Sequence, residues 1–352
     1  VGDTTRLVTP AELDEERAEE AALRPRTLHD FVGQRALREQ LHILLEAARH
    51  RGEALDHILL YGPPGLGKTT LAQIIANEME VKIRVTSGPA IEHQGMLAST
   101  LTSLDARDVF FIDEVHRLGR AVEEALYPAM EDFSFDYVLG KGAGAQPMRL
   151  SLQHFTVVGA TTRAGALGGP LRDRFGVSFR LDFYDVDELV QIVRRSADLL
   201  RVEVDAAGAE LIASRSRGTP RIANRLLRRA RDFAQVRAEG RIDRAVAAAA
   251  LEVLGIDEHG LDELDRRVLR VLCGSMAGQP VGLGTVAVSV QEDQDTVEDV
   301  VEPYLIRLGL LARTPRGRMA TAGAYRQLGL AVPSGVPGAA ASGDVSAQGS
   351  LF

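Results

Sequence analysis

Between Gly62 and Thr69 the chain reads Gly-Pro-Pro-Gly-Leu-Gly-Lys-Thr, a spacing suited to holding a polyphosphate. Gly62, Gly65 and Gly67 let backbone N–H groups close on phosphate oxygens, Lys68 can reach the β and γ oxygens, and the Thr69 hydroxyl can ligate Mg²⁺, with Thr70 in the same turn. About forty residues on, the apolar run Val109, Phe110, Phe111, Ile112 delivers Asp113 and Glu114. Asp113 can hold Mg²⁺ through water, and Glu114 can polarise an attacking water. An acidic pair after a strand is otherwise a solvated strand end. Beside a phosphate loop it is equipment for nucleotide hydrolysis.

A third apolar run, Phe155 to Val158, leads into Gly159, Ala160, Thr161, Thr162 and Arg163. A hydroxyl there can sense the γ-phosphate or orient the water. Thr162 is the favoured residue and Thr161 the rival, and both can instead cap the next turn. Arg172 and Arg174 flank Asp173, either as a surface ion-pair cluster or as a guanidinium offered to a neighbour's γ-phosphate. Thr219 as N-cap and Pro220 in the first turn fix Arg221 at a helix start, where it suits a nucleotide contact across domains.

Those residues need elements to carry them. From Leu23 to Phe183, short apolar runs at Ile58 to Tyr61, Val109 to Ile112 and Phe155 to Val158 alternate with amphipathic segments, which predicts a parallel sheet with crossover helices. The phosphate loop then lies between the first strand and a helix from Thr69 through Met79. From Asp185 to about Leu254 strands vanish and helical spacing continues, so a small helical domain follows. Beyond a turn-rich link at Gly255 to Gly260 come one helix around Leu264 to Leu272 and another from Thr296 to Leu308, interrupted by Pro303. A hairpin over Leu310 to Ala320 completes a winged-helix pattern. A further hairpin with one apolar face is expected from Phe133 to Leu152, turning through Gly140 to Gly144.

The 352 residues are 45% hydrophobic and 26% charged, which excludes wholesale disorder and fits two or three globular domains. Lys and Arg number 41 against 49 Asp and Glu, a net charge of −8, so nucleic-acid binding needs a local patch. One is present: between Tyr304 and Arg326 the charged residues are Arg307, Arg313, Arg316, Arg318 and Arg326, with no Asp or Glu. Arginines on a wing hairpin suit phosphates, a solvated basic face being the alternative, and no base-reading set is evident. The lone Cys273 excludes an internal disulfide and a multi-cysteine zinc site, and reads as a small core residue in a reducing cytoplasm. The acidic N-terminus lacks the pattern of a secretion signal, and no apolar run approaches the roughly 20 residues that span a bilayer, so no membrane contact is expected.

Phosphate loop, acidic pair, sensor threonine, paired arginines and Arg221 occur in the order found in the AAA+ ATPases. The strings GPPGLGKTTLA, DEVHRL, GATTRAG, LRDRFG, RGTPRIANRLLRR and RTPRGR resemble the RuvB family of Holliday-junction branch-migration motors, over about Leu23 to Leu330. The resemblance implies an α/β fold: an AAA+ parallel sheet with a helical lid and a C-terminal winged-helix domain. It divides the chain into an acidic segment 1–22, an ATPase domain 23–184 with the hairpin near 133–152, a lid 185–255, a head 256–332 and a disordered tail 333–352. It implies ATP and Mg²⁺ as cofactors, with Lys68, Asp113, Glu114, Thr162 and Arg174 catalytic and Thr69 and Asp113 at the metal. Nucleotide contacts fall to Leu23, Arg24, Gly62, Gly65, Gly67, Lys68, Thr69, Thr70, Glu131, Asp132, Phe133, Arg174, Tyr184 and Arg221. Arg174 would act in trans with Arg172 as support, and Phe31 and Val32 would line the adenine pocket or simply belong to the core.

The same resemblance implies a cytoplasmic homo-hexameric ring on duplex DNA at Holliday junctions, held through Arg313 and Arg318, with Arg316 of the basic patch beside them, RuvA docked on the hairpin and the RuvC resolvase an indirect partner. Two other functions fit the motifs, a clamp or helicase loader and an ATP-gated DNA-binding regulator that does not hydrolyse. Independently, Gln348 to Phe352 resembles the short peptides that enter a sliding clamp, presented on a Gly- and Ala-rich tail.

Overall fold

The computed structural model describes residues 17–139 and 146–339. The chain divides into two compact units, parted after Leu254. The first carries seven strands ahead of its helical part: β1 (Ile58–Tyr61), β2 (Ile83–Ser87), β3 (Val109–Asp113), β4 (Ser134–Leu139), β5 (Gln146–Ser151), β6 (Thr156–Thr161) and β7 (Val177–Arg180). Five form one parallel sheet in the order β2-β3-β6-β1-β7, while β4 and β5 make a separate antiparallel hairpin. The central strands β1, β3 and β6 are continuously apolar or small and buried, as two covered faces require. β2 and β7 leave no continuous apolar run in the sequence because they are the sheet's edges. Each is partly exposed and carries polar residues, Arg84 and Thr86 on one and Ser178 and Arg180 on the other.

The helices α1 (Arg17–Leu23), α2 (Arg35–Arg51), α3 (Lys68–Glu78), α4 (Gln94–Thr102), α5 (Arg120–Glu131) and the short α6 (Gly169–Arg172) accompany the sheet. Phe110 and Ile112 of β3 and Val157 of β6 share a core with Leu97 and Leu101 of α4 and Leu126 and Met130 of α5. The lid follows as α7 (Val186–Leu200), α8 (Ala206–Arg215), α9 (Pro220–Arg237) and α10 (Arg244–Val253). Asp185 and Glu188 form a reciprocal capping box that starts α7. Strands do not vanish here: β8 (Glu203–Val204) and β9 (Arg241–Ile242) pair in parallel, too short to leave a period in the sequence.

The second unit holds α11 (Glu263–Cys273), α12 (Leu283–Val290), α13 (Gln294–Thr296), α14 (Glu302–Arg307), β10 (Leu311–Thr314), β11 (Gly317–Ala320) and α15 (Ala322–Gln327). The expected single helix from Thr296 breaks before Pro303, at a π turn over Val297–Val301. Val281 exchanges backbone bonds with Arg318 at 2.8 and 2.7 Å, adding a third rung to the wing. Gly317 (φ +139°) sits at that rung, where a Cβ would lie 2.4 Å from the Val281 carbonyl oxygen.

Two segment boundaries need correction. The tail does not begin at 333: Val336 is buried in the second unit's core, and the Pro337 carbonyl accepts from Ala322 N at 2.9 Å. Nor does 1–22 stand apart, since α1 runs to Leu23 and Glu20 is buried. The hairpin tip at Gly140 to Gly144 and the peptide Gln348 to Phe352 lie outside the described residues.

Candidate active site at one edge of the parallel sheet

Because the sheet strands are parallel, their C-terminal ends share one edge. Tyr61 is registered with Thr161 on one side and Arg180 on the other, and Asp113 ends β3 next but one to β1. The phosphate loop leaves β1 there, between strands reached by crossovers in opposite directions, where ligands bind in open α/β sheets. Gly62 donates to the Thr161 carbonyl at 3.2 Å, and a Cβ on it would lie 2.3 Å from the Leu181 carbonyl oxygen. Only glycine fits between those backbones.

Gly65 and Gly67 also have positive φ, and Gly67 abuts the Phe31 ring, at 3.2 Å from a notional Cβ. Phe31 is thus buried against the loop, while Val32 is half-buried. Lys68 opens α3 and donates from Nζ to the Gly62 and Pro63 carbonyls, both at 2.8 Å. Burial pulls its pKa down to about 8, opposed by Asp113 and reinforced by Arg221. Thr69 is half-buried and Thr70 buried in the same turn.

Asp113 accepts from the Glu114 N–H at 2.9 Å, and Glu114 has left-handed backbone (φ +47°), a strained conformation for a non-glycine residue. Its carboxylate pairs with Arg117 at 3.0 Å and stays exposed. Thr161 is fully buried, bonded to His116 Nδ1 at 2.9 Å and accepting from Arg163 N at 3.0 Å. Thr162 is the first residue past β6 and half-buried, which leaves its hydroxyl the more accessible of the two. The sequence does not mark His116, since its link to Thr161 spans 45 residues.

The lid reaches the same edge. Arg221 N approaches the Gly65 carbonyl at 3.4 Å, and Arg221 Nε bonds Glu20 at 3.2 Å. Arg24 Nη2 approaches the same Glu20 oxygen at 3.5 Å, so an acid of the N-terminal segment bridges two residues expected to contact nucleotide. Leu23 is buried and its carbonyl accepts from Arg195 at 2.9 Å. Tyr184 is buried under Gly33 and donates to the Leu66 carbonyl at 3.2 Å, and burial raises its pKa. Thr219 occupies the N-cap position of α9, but its hydroxyl turns back to the Ser216 carbonyl at 3.3 Å rather than capping the helix.

Other expected residues lie elsewhere. Arg174 precedes β7, whose first residue is registered with Ile58, so it belongs to the N-terminal edge of the sheet, opposite the phosphate loop. There it bonds Pro170 O at 2.6 Å and Glu131 at 3.1 Å, and stacks 4.2 Å above the Tyr127 ring. Arg172 is exposed beside it. Glu131, Asp132 and Phe133 share that edge and do not meet their own chain's phosphate loop. Asp132 pairs with Arg149 at 3.1 Å, and Phe133 stacks on His154 at 4.0 Å and packs edge-on against Phe155. The base of the hairpin's apolar face is part of the core, with Phe135 fully buried and Leu150 packed against it, while Met148 further along the same face is 41% exposed. On the wing, Arg318 is no free cation, being 17% exposed and paired with Glu302. Arg313 also pairs with Glu302, while Arg316 is exposed in the turn.

A phosphate loop on a five-stranded parallel sheet, an acidic pair and threonine on flanking strands, and a helical lid bringing an arginine to the loop define an AAA+ ATPase. Family models described as the Holliday junction DNA helicase RuvB P-loop domain, the RuvB AAA lid domain and the RuvB C-terminal winged helix domain match residues 23–181, 184–257 and 258–329. The solved structure of the Thermotoga maritima RuvB Holliday junction branch migration motor is 51% identical, with a TM-score of 0.81, covering 89% of this chain and 100% of that one. A substitution mutant of the same organism's RuvB aligns at 51% identity and a TM-score of 0.83, covering 88% and 99%. The chain belongs to the RuvB family.

Proposed function

We propose that this chain works as the ATP-hydrolysing motor that drives migration of Holliday junctions, with ATP and Mg²⁺ as its cofactors and duplex DNA as its track. The carrying observation is the shared strand edge, where Lys68, Thr69, Asp113, Glu114, Thr162 and Arg221 converge, with Arg174 kept at the far edge. In this reading Lys68 and the loop N–H groups bind phosphate, Thr69 and Asp113 hold Mg²⁺, Glu114 polarises water and Thr162 senses the γ-phosphate. Residues 23–184 serve as the motor domain, 185–255 as its lid, and 256–332 together with the core segment through Ala339 as the DNA head. Arg174 acts on the neighbouring subunit's nucleotide in a homo-hexameric ring, with Glu131, Asp132 and Phe133 beside that foreign nucleotide. RuvA docks on the hairpin and RuvC joins through the junction. No helix among the described residues is long and apolar enough to cross a membrane, and the cytoplasm is the expected compartment. Contact of the tail with a sliding clamp stays a separate proposal, answered by binding of a peptide from Ala340 to Phe352.

A loader and a non-hydrolysing regulator are not favoured, given the winged-helix head and the assembled hydrolytic edge. The test is migration of a synthetic four-way junction in the presence of RuvA. Turnover of junctions with ATP and none with a slowly hydrolysed analogue is expected; equal migration with both would remove hydrolysis from the mechanism. Arg316→Ala should weaken duplex binding at every sequence alike and lower the salt slope by about one unit, one phosphate contact.

A further inference from the structure

The wing opposes two like charges. Arg313 on β10 and Arg318 on β11 are register partners, and their side chains leave one face of the hairpin side by side, an arrangement that repels. Glu302, the first residue of α14 and fully buried, resolves it. Arg313 donates to Glu302 Oε2 from Nε at 2.7 Å and from Nη2 at 2.6 Å. Arg318 donates from Nε to Oε1 at 2.5 Å and from Nη2 to Oε2 at 3.4 Å. Glu298, one turn earlier, lies 3.3 and 3.5 Å from the two Nη2 atoms. The carboxylate stands where the π turn ends and Pro303 follows, an irregular point of the kind that re-aims a side chain.

The consequence is directional. Arg313 gives its Nε and Nη2 edge to the carboxylate, which leaves Nη1 for an outside acceptor on a side chain still 48% exposed. Arg318 spends itself on the same anchor. We infer that Glu302 is a positioning residue of the DNA head: it holds the Arg313 guanidinium side-on so that Nη1 meets a backbone phosphate of duplex DNA, beside Arg316 in the turn. The inference rests on the reading of the second unit as DNA-binding.

Charge counting and positioning give opposite signs, which makes the test sharp. Glu302→Gln removes a negative charge next to the wing arginines and by charge alone would tighten duplex binding. Positioning requires weaker binding, by about tenfold at fixed salt, as a charge-assisted contact is lost. Anisotropy of a labelled mixed-sequence duplex with the full chain reads this, with circular dichroism to check folding. Tighter or unchanged binding by a folded Glu302→Gln protein overturns the inference. Should that variant fail to fold, Arg313→Lys decides: it keeps the charge and loses the fork, so binding equal to wild type overturns it. Arg316→Ala separates the two levels. If it leaves affinity and salt slope unchanged, the wing does not meet DNA and both readings fall; if it weakens binding while Glu302→Gln does not, the inference alone falls.

Discussion

In the proposed function Lys68 and Glu114 fall on opposite sides of the division between holding a nucleotide and cleaving it. Lys68 bonds loop carbonyls where phosphate oxygens would compete for its ammonium, whereas Glu114 points outward from a strained turn after β3. Lys68→Ala should therefore abolish nucleotide binding, and Glu114→Gln should keep it while lowering turnover by about 10²–10⁴-fold, the share of a general base. A fluorescent ATP analogue and phosphate release measure the two, and equal loss of binding in both variants would end the division of roles. These residues were legible because their spacing is local and the loop chemistry needs consecutive positions. Glu302 and Glu20 were not, since each holds an arginine that only folding brings near: Arg313 and Arg318 lie 11 and 16 residues from Glu302, and Arg221 lies 201 from Glu20.

Elements were legible in proportion to their burial. β1, β3 and β6 are covered on both faces and read as apolar runs, whereas β2 and β7 each have one sheet neighbour and mixed faces. The β4–β5 hairpin shows why alternation alone misleads about exposure, since the base of its apolar face shares a core with α5 and the sheet, with Phe135 fully buried. Phe135→Asp should prevent folding of the first unit, and Phe135→Ala should cost about 3–5 kcal/mol. Met148, 41% exposed on β5, is the better probe of docking. Met148→Asp should keep the basal ATPase rate and melting temperature yet reduce stimulation by RuvA; unchanged stimulation would move the dock off this strand. At the N-terminal edge of the sheet, beside the hairpin base, His57 ties α5 to the sheet. Its Nδ1 accepts from Val157 N at 2.9 Å, so Nε2 carries the proton donated to Met130 O at 3.0 Å. Burial lowers its pKa from the ordinary 6.5, so folding favours the neutral ring. The native state then binds fewer protons than the unfolded one, and this contribution is complete above pH 6.5 and fades as pH falls from there through the folded pKa. Denaturant unfolding at pH 7.5 and 5.5 should show a larger loss in the wild type than in His57→Gln; identical losses would mean that the ring titrates normally.

At the scale of the whole molecule, the sheet separates the phosphate loop from the arginine proposed to complete the reaction. The phosphate loop follows the C-terminal end of β1, while Arg174 precedes the N-terminal end of β7, the strand beside it. The four residues of β1 alone span about 13 Å at about 3.3 Å each. Within its subunit the Arg174 guanidinium is held away from that loop by Glu131, the Pro170 carbonyl and the Tyr127 ring. An arginine so placed can complete a site only on another copy of the chain, so the proposed function makes hydrolysis depend on a second subunit. Arg174→Ala should leave ATP bound and cost on the order of 10³ in turnover, the scale of transition-state charge stabilisation by such a finger. Mixing supplies the decisive measurement. Lys68→Ala subunits bind no ATP but keep an intact finger, and Arg174→Ala subunits bind ATP but lack one, so each variant alone is inactive. Mixed rings should recover part of the wild-type phosphate-release rate, because some bound sites acquire a neighbour with Arg174 intact. Absence of rescue at every mixing ratio, with mixed assembly verified by a tag on one variant, would require the finger to act within its own subunit, against the strand register.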